Sequence, residues 1–191
     1  MNNQQEQNRS RIVWSVIVPQ IGMITISTLW ILIFPADNVI KYFKFSFLFF
    51  LEGCIIGFLL SLAGYIFYIV SKKTGKFSET VELFEKVLSP SFKILKVTDF
   101  IVLSFIAGFS EEVLFRGLLS NKIGLIFSSL AFGLMHFPGK KYWIYTVWAT
   151  LSGALFCWIL QATGSLFIPI TAHTVNNIFG MILLKRLNPK V

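Results

Sequence analysis

The chain has 191 residues, of which 55% are hydrophobic, 16% aromatic and only 14% charged, with a mean hydropathy of +0.72. Soluble domains average about 25% charged residues, so this composition excludes an ordinary water-soluble globule and assigns the chain to the membrane class. The net charge of +8 does not make it a nucleic-acid binder. Its basic residues are scattered between apolar runs and form no stripe or binding motif, so lipid headgroups and topology account for them better.

Residues 1–10, MNNQQEQNRS, are polar and are expected to form a disordered tail. Apolar runs follow at about 11–34, 45–70, 99–119, 123–138, 142–161 and 165–184, each close to the length that crosses a bilayer. The pattern predicts an all-α, polytopic integral membrane bundle of about six transmembrane helices. The first run is too long for the apolar core of a signal peptide and is read as a retained span. The third and fourth runs are joined so tightly that one of them can instead be shorter, tilted or re-entrant.

This divides the chain into the tail 1–10, an N-terminal part 11–98 of two spans and a polar linker, and a core 99–187 that carries the chemistry. In the linker, Val81, Leu83, Phe84, Val87 and Leu88 recur at helical spacing beside Glu79, Glu82, Glu85 and Lys86. An amphipathic interfacial helix is expected there, ended by Ser89-Pro90. Arg9, Arg11, Lys72, Lys73, Lys76, Lys86, Lys93, Lys96, Lys140, Lys141, Lys185, Arg186 and Lys190 fall on one side of a six-span arrangement, against Lys41, Lys44 and Lys122 on the other. The positive-inside rule then places the chain in the cell membrane with both termini cytoplasmic. Cys54 and Cys157 lie in apolar runs without C-x-x-C spacing and read as packed small hydrophobes.

Several polar groups sit inside the apolar runs: Glu52, Glu111, Glu112, Arg116, His136, His173, Asn176 and Asn177. Intramembrane ionisable side chains are costly and point by default to a functional site. On a helix, residues four apart share a face, so Glu112 and Arg116 can neutralise each other, whereas Glu111 diverges by about 100° and is left as a carboxylate without a local cation. Such a group can serve as a general acid or base. His173 and Asn177 share one face of the last span, and Phe132 can wall the pocket beside His136. A carboxylate and an imidazole can hold and deprotonate a water, while a second imidazole and an amide polarise a carbonyl, which is the equipment for hydrolysing an amide bond. A different class of reading is a non-catalytic membrane protein, an immunity factor or an ion conductor using the same buried groups.

The motifs carry a specific resemblance. EEVLFR (Glu111–Arg116), FGLMH (Phe132–His136) and HTVNN (His173–Asn177) resemble the E-E-x-x-x-R, F-x-x-x-H and H-x-x-x-N motifs of the CPBP family, the CAAX-protease and bacteriocin-processing intramembrane proteases, also called Abi. The three occur in the family's order over about residues 99–185. The resemblance implies an intramembrane endopeptidase in which Glu111 and His136 activate water and His173 and Asn177 stabilise the oxyanion. Glu112, Arg116 and Phe132 are then supporting residues. Family members are described both as metalloproteases and as metal-independent glutamate proteases. A divalent metal such as zinc, if used, has Glu111, His136 and His173 as its candidate ligands, although the H-E-x-x-H signature is absent. The implied substrate is a peptide precursor or a membrane-anchored protein, as in bacterial members linked to bacteriocin processing, self-immunity or surface-protein maturation.

Overall fold

The computed structural model describes residues 3–37 and 39–187, and among these it is all-helical. Met1, Asn2 and Lys190 lie outside the described residues. Helix α1 spans Asn3–Ile33, α2 Phe47–Thr74, α3 Ser78–Glu82, α4 Ser89–Ile94, α5 Val97–Glu111, α6 Ser120–Met135, α7 Trp143–Thr163 and α8 Phe167–Arg186. Leu83–Leu88 and Glu112–Leu119 are π-helical. Among the described residues, five helical stretches are long and apolar enough to cross a membrane: Asn3–Ile33, Phe47–Thr74, Val97–Met135, Lys140–Thr163 and Phe167–Arg186.

The expected third and fourth spans therefore share one helical stretch, Val97–Met135, but it is not straight. Gly124 breaks it with φ 78° and ψ 170°, a conformation that a residue without Cβ adopts readily. Beyond the break, α6 folds back on the π-helical segment: Ser128 Oγ donates to the Phe115 carbonyl at 2.7 Å, and the Phe115 and Phe132 rings meet edge to face. Residues 125–135 are about 16 Å of helix, half of a hydrocarbon core of about 30 Å, which matches the shorter of the alternatives left open by the sequence.

The polar N-terminus departs from expectation. Instead of a disordered tail, α1 continues outward to Asn3, and Arg9 clamps Asp99 at the start of α5, with Nε 2.7 Å from Oδ2. A fork-shaped donor on a carboxylate gives the terminal turns an anchor that local sequence does not display. Lys185 donates to the Leu95 carbonyl and Ser89 Oγ to the Leu187 carbonyl, so the C-terminal end of the described chain meets the linker.

The linker also differs in detail. Ser89-Pro90 does not end the helix; Pro90 occupies the first turn of α4, where its missing N–H has no partner to lose. Glu82 binds Lys141 at 2.7 Å, and buried Glu85 accepts from Tyr68 and Lys72 of α2. Lys141 holds the Glu82 carboxyl below its ordinary value. Burial raises that of Glu85, but the hydrogen bonds from Lys72 and Tyr68 outweigh it and the net direction is down. Carboxylates depressed in the folded state contribute stability above the ordinary value of 4.5 and lose it as pH falls through the lower, folded values. Hydrogen exchange in residues 78–88 should thus be flat from about pH 7 to 5 and accelerate below about 4.5 beyond the intrinsic pH effect. An unchanged protection factor at pH 3.5 would count against these contacts as latches.

Helices α2 and α8 make the tightest pairing. A Cβ at Gly53 would lie 2.6 Å from Thr171 Cβ, and one at Gly57 would run into the Ala172 carbonyl, so the two backbones approach as only glycine allows. Ser61, one turn further, donates to the Asn176 carbonyl at 3.3 Å. This stripe fixes α8, which carries His173 and Asn177.

Candidate active site

The site begins where α5 changes from α- to π-helical bonding, at Glu111 and Glu112. The two neighbours were expected to diverge. Instead they reach the two nitrogens of one imidazole: His173 Nδ1 donates to Glu112 Oε1 at 2.8 Å, while its Nε2 lies 3.8 Å from Glu111 Oε2. Bonding from i to i+5 narrows the angle between neighbours only slightly, and the two carboxylates reach the ring at its two different nitrogens.

Glu112 also meets Arg116, as its spacing predicts, with Oε1 3.0 Å from Nη1. Both are fully buried, and the contact lies off the hydrogen-bonding directions, leaving the guanidinium nitrogens unbonded. Aromatic faces complete the enclosure: the guanidinium carbon is 4.0 Å from the Phe132 ring centre, 5.5 Å from Phe156 and 5.9 Å from Phe115. Gly153 of α7 makes room for it, since a Cβ there would stand 3.1 Å from Nη2.

His136 ends α6. Its Nδ1 is 2.9 Å from the Phe132 carbonyl, which can only accept, so Nδ1 carries the proton and Nε2 is turned to Glu111 Oε2 at 3.7 Å. Phe132 does not wall the pocket as expected. It is buried behind the site, against the rings of His136, His173 and Phe115, and holds Arg116 from the far side.

A cavity of about 390 Å³ opens in front of this cluster. Glu111, His136 and Asn177 line it, together with Tyr145 and Trp148 of α7, and its apolar remainder runs past Leu103 towards the linker. His173 is 5% exposed and stands at the back. Glu52 lies outside the lining. The structure thus brings Glu111, Glu112, Arg116, Phe132, His136 and His173 together, with Asn177 on the same cavity. Among the described residues no group of three or more His, Cys, Asp or Glu side chains is arranged to hold a metal ion.

Sequence reasoning missed Gln20. It lines the cavity from α1, is 6% exposed, and donates from Nε2 to Glu111 Oε1 at 3.0 Å. Its own carbonyl oxygen accepts from Ser110. The signal was available, since Gln20 is the one side-chain amide in the first apolar run, but a search for ionisable groups passes over it.

Comparison with known proteins picks out the segment that carries most of this site. Residues 93–179 match the family model described as Type II CAAX prenyl endopeptidase Rce1-like. An 84-residue stretch is 36% identical to the uncharacterized protein YpbD of Bacillus subtilis (strain 168), covering 44% of this chain and 44% of that relative. The chain thus spans less than half the length of the curated relative it matches. No solved structure matches it significantly. All three polar motifs fall within the matched segment, and it is through residues 93–179 that the chain is similar to the Rce1-like CAAX endopeptidases.

Proposed function

We propose that this chain is an intramembrane endopeptidase that cleaves a peptide precursor or a membrane-anchored protein by water attack, with Glu111 as general base. One observation carries the reading: Glu111 Oε2 is buried without a hydrogen-bond partner of its own and faces two imidazole Nε2 atoms at 3.7 and 3.8 Å. Those separations are too long for direct hydrogen bonds, and a small spreading of the three groups, to about 4.5 Å, would seat a water bonded to each.

The water, held by Glu111 and His136, gives a proton to Glu111 Oε2 as its oxygen attacks the scissile carbonyl carbon. The carbonyl oxygen gains the negative charge and accepts from the Asn177 amide and, when the ring carries its second proton, from His173 Nε2. Glu112 holds His173 by Nδ1 and so aims Nε2 at the reacting atoms. Collapse of the tetrahedral intermediate breaks the C–N bond, and Glu111 returns its proton to the departing amine. The apolar part of the cavity suits a substrate segment with hydrophobic side chains. Counting the stretch after the reversal at Gly124 as a separate pass, which gives six, the basic residues support a reading with both termini cytoplasmic.

The test is cleavage of candidate precursors by the purified protein in lipid discs, with and without a chelator. Metal-independent hydrolysis predicts the same initial rate in both arms. Loss of cleavage on chelation, restored by zinc, would assign the water to a metal ion. No cleavage of any membrane-anchored or precursor peptide would overturn the endopeptidase reading.

A further inference from the structure

We infer that Gln20 is a positioning residue for Glu111, so that the first helix supplies part of the machinery although it lies outside the family-matched segment; this rests on the endopeptidase reading above. Of the 31 residues of α1, only Gln20, Met23 and Ser27 are buried. An apolar side chain at position 20 would pack without a polar penalty, whereas a buried amide is unfavourable unless both its ends are bonded.

Both ends are bonded, and each to one of two consecutive residues. The amide nitrogen donates to Glu111 Oε1, and the amide oxygen accepts from the hydroxyl of Ser110. The orientation follows from chemistry: turned over, the amide would set its oxygen against a carboxylate oxygen, two acceptors with no proton between them. Glu111 therefore fixes which end of Gln20 faces it, Ser110, whose hydroxyl also reaches the Ile106 carbonyl at 2.8 Å, holds the far end, and Gln20 fixes which oxygen of Glu111 is occupied. With Oε1 held, Oε2 is the oxygen left to face the imidazoles of His136 and His173. Without the amide, the carboxylate is free to turn about its last bond, and the base spends less time aimed at the water.

This arrangement acts on turnover and not on substrate affinity. Gln20→Met keeps the length and burial of the side chain and removes the donor and acceptor. It is expected to lower kcat about 10- to 100-fold with KM within about twofold of the parent. Ser110→Ala leaves Gln20 in place and removes the hydroxyl that holds its far end, lowering kcat about three- to tenfold. The double variant should be no slower than Gln20→Met alone, because Ser110 works through Gln20. Should Gln20→Met not fold, Ser110→Ala and Gln20→Leu, which removes both donor and acceptor, carry the same test.

A parental kcat for the folded Gln20 variants, or a loss seen only in KM, overturns the inference. So does a double variant whose losses multiply. Glu111→Ala run in parallel separates the two levels. If it cuts as fast as the parent, the endopeptidase assignment falls and this inference with it. If it is inactive while Gln20→Met is unimpaired, only the role of Gln20 falls.

Discussion

Glu111→Gln is expected to lower kcat about 10²- to 10⁴-fold, the range supplied by a positioned general base, while leaving the fold intact. The amide keeps the shape of the carboxyl group, and removing a buried charge spares the protein a desolvation cost, so lost activity is not explained by unfolding. What disappears is the oxygen that takes the water's proton and later returns it to the amine. His173→Ala makes the companion measurement, since it removes the imidazole that Glu112 orients. Rates equal to the parent in both folded variants would rule out the assigned roles.

Arg116→Ala should be the most damaging change to stability. The guanidinium is fully buried, paired with Glu112 and enclosed by three aromatic rings. Its removal leaves the carboxylate of Glu112 in a low-dielectric interior without a counter-charge, a change that costs about 3–5 kcal/mol. It also opens a void between Phe132 and Phe156 that the surrounding helices cannot readily fill. The expected result is loss of monodisperse protein in detergent, or a markedly lower melting temperature. Arg116→Lys retains the charge but not the flat, stackable surface, and should fall between the two. A melting temperature for Arg116→Ala equal to that of the parent would show that the pair and the ring cage are not what holds α6 and α7 to the π-helical segment.

The spans, the three motifs and the Glu112–Arg116 pair were legible because each depends on local composition or helical spacing. The meeting of Glu111 with Glu112 on one imidazole was not. An α-helical period sends neighbours apart, and nothing in EEVLFRGLL announces that the bonding there is π-type. The reversal at Gly124 was half legible: a glycine follows the Ser-Asn-Lys cluster at 120–122, but the angle is set by packing against Phe115 and Ser128. The anchoring of Arg9 on Asp99 joins residues 90 apart and leaves no local trace. Gln20 was hidden for a different reason, since its importance lies in what it touches and not in its charge.

The close passage of α2 across α8 has a further implication for how sequence variation should be interpreted. Gly53 and Gly57 bear no side chain and Ser61 gives its hydroxyl proton to the Asn176 carbonyl, yet each meets α8 at or beside the turns that carry His173 and Asn177. Selection at the two glycines would act on steric room alone and, with Ser61, would produce an invariant stripe every fourth residue, flanked by freely exchanging lipid-facing neighbours. A mutational scan would score that stripe as severely as the active site, although what its glycines contribute to the reaction is empty space.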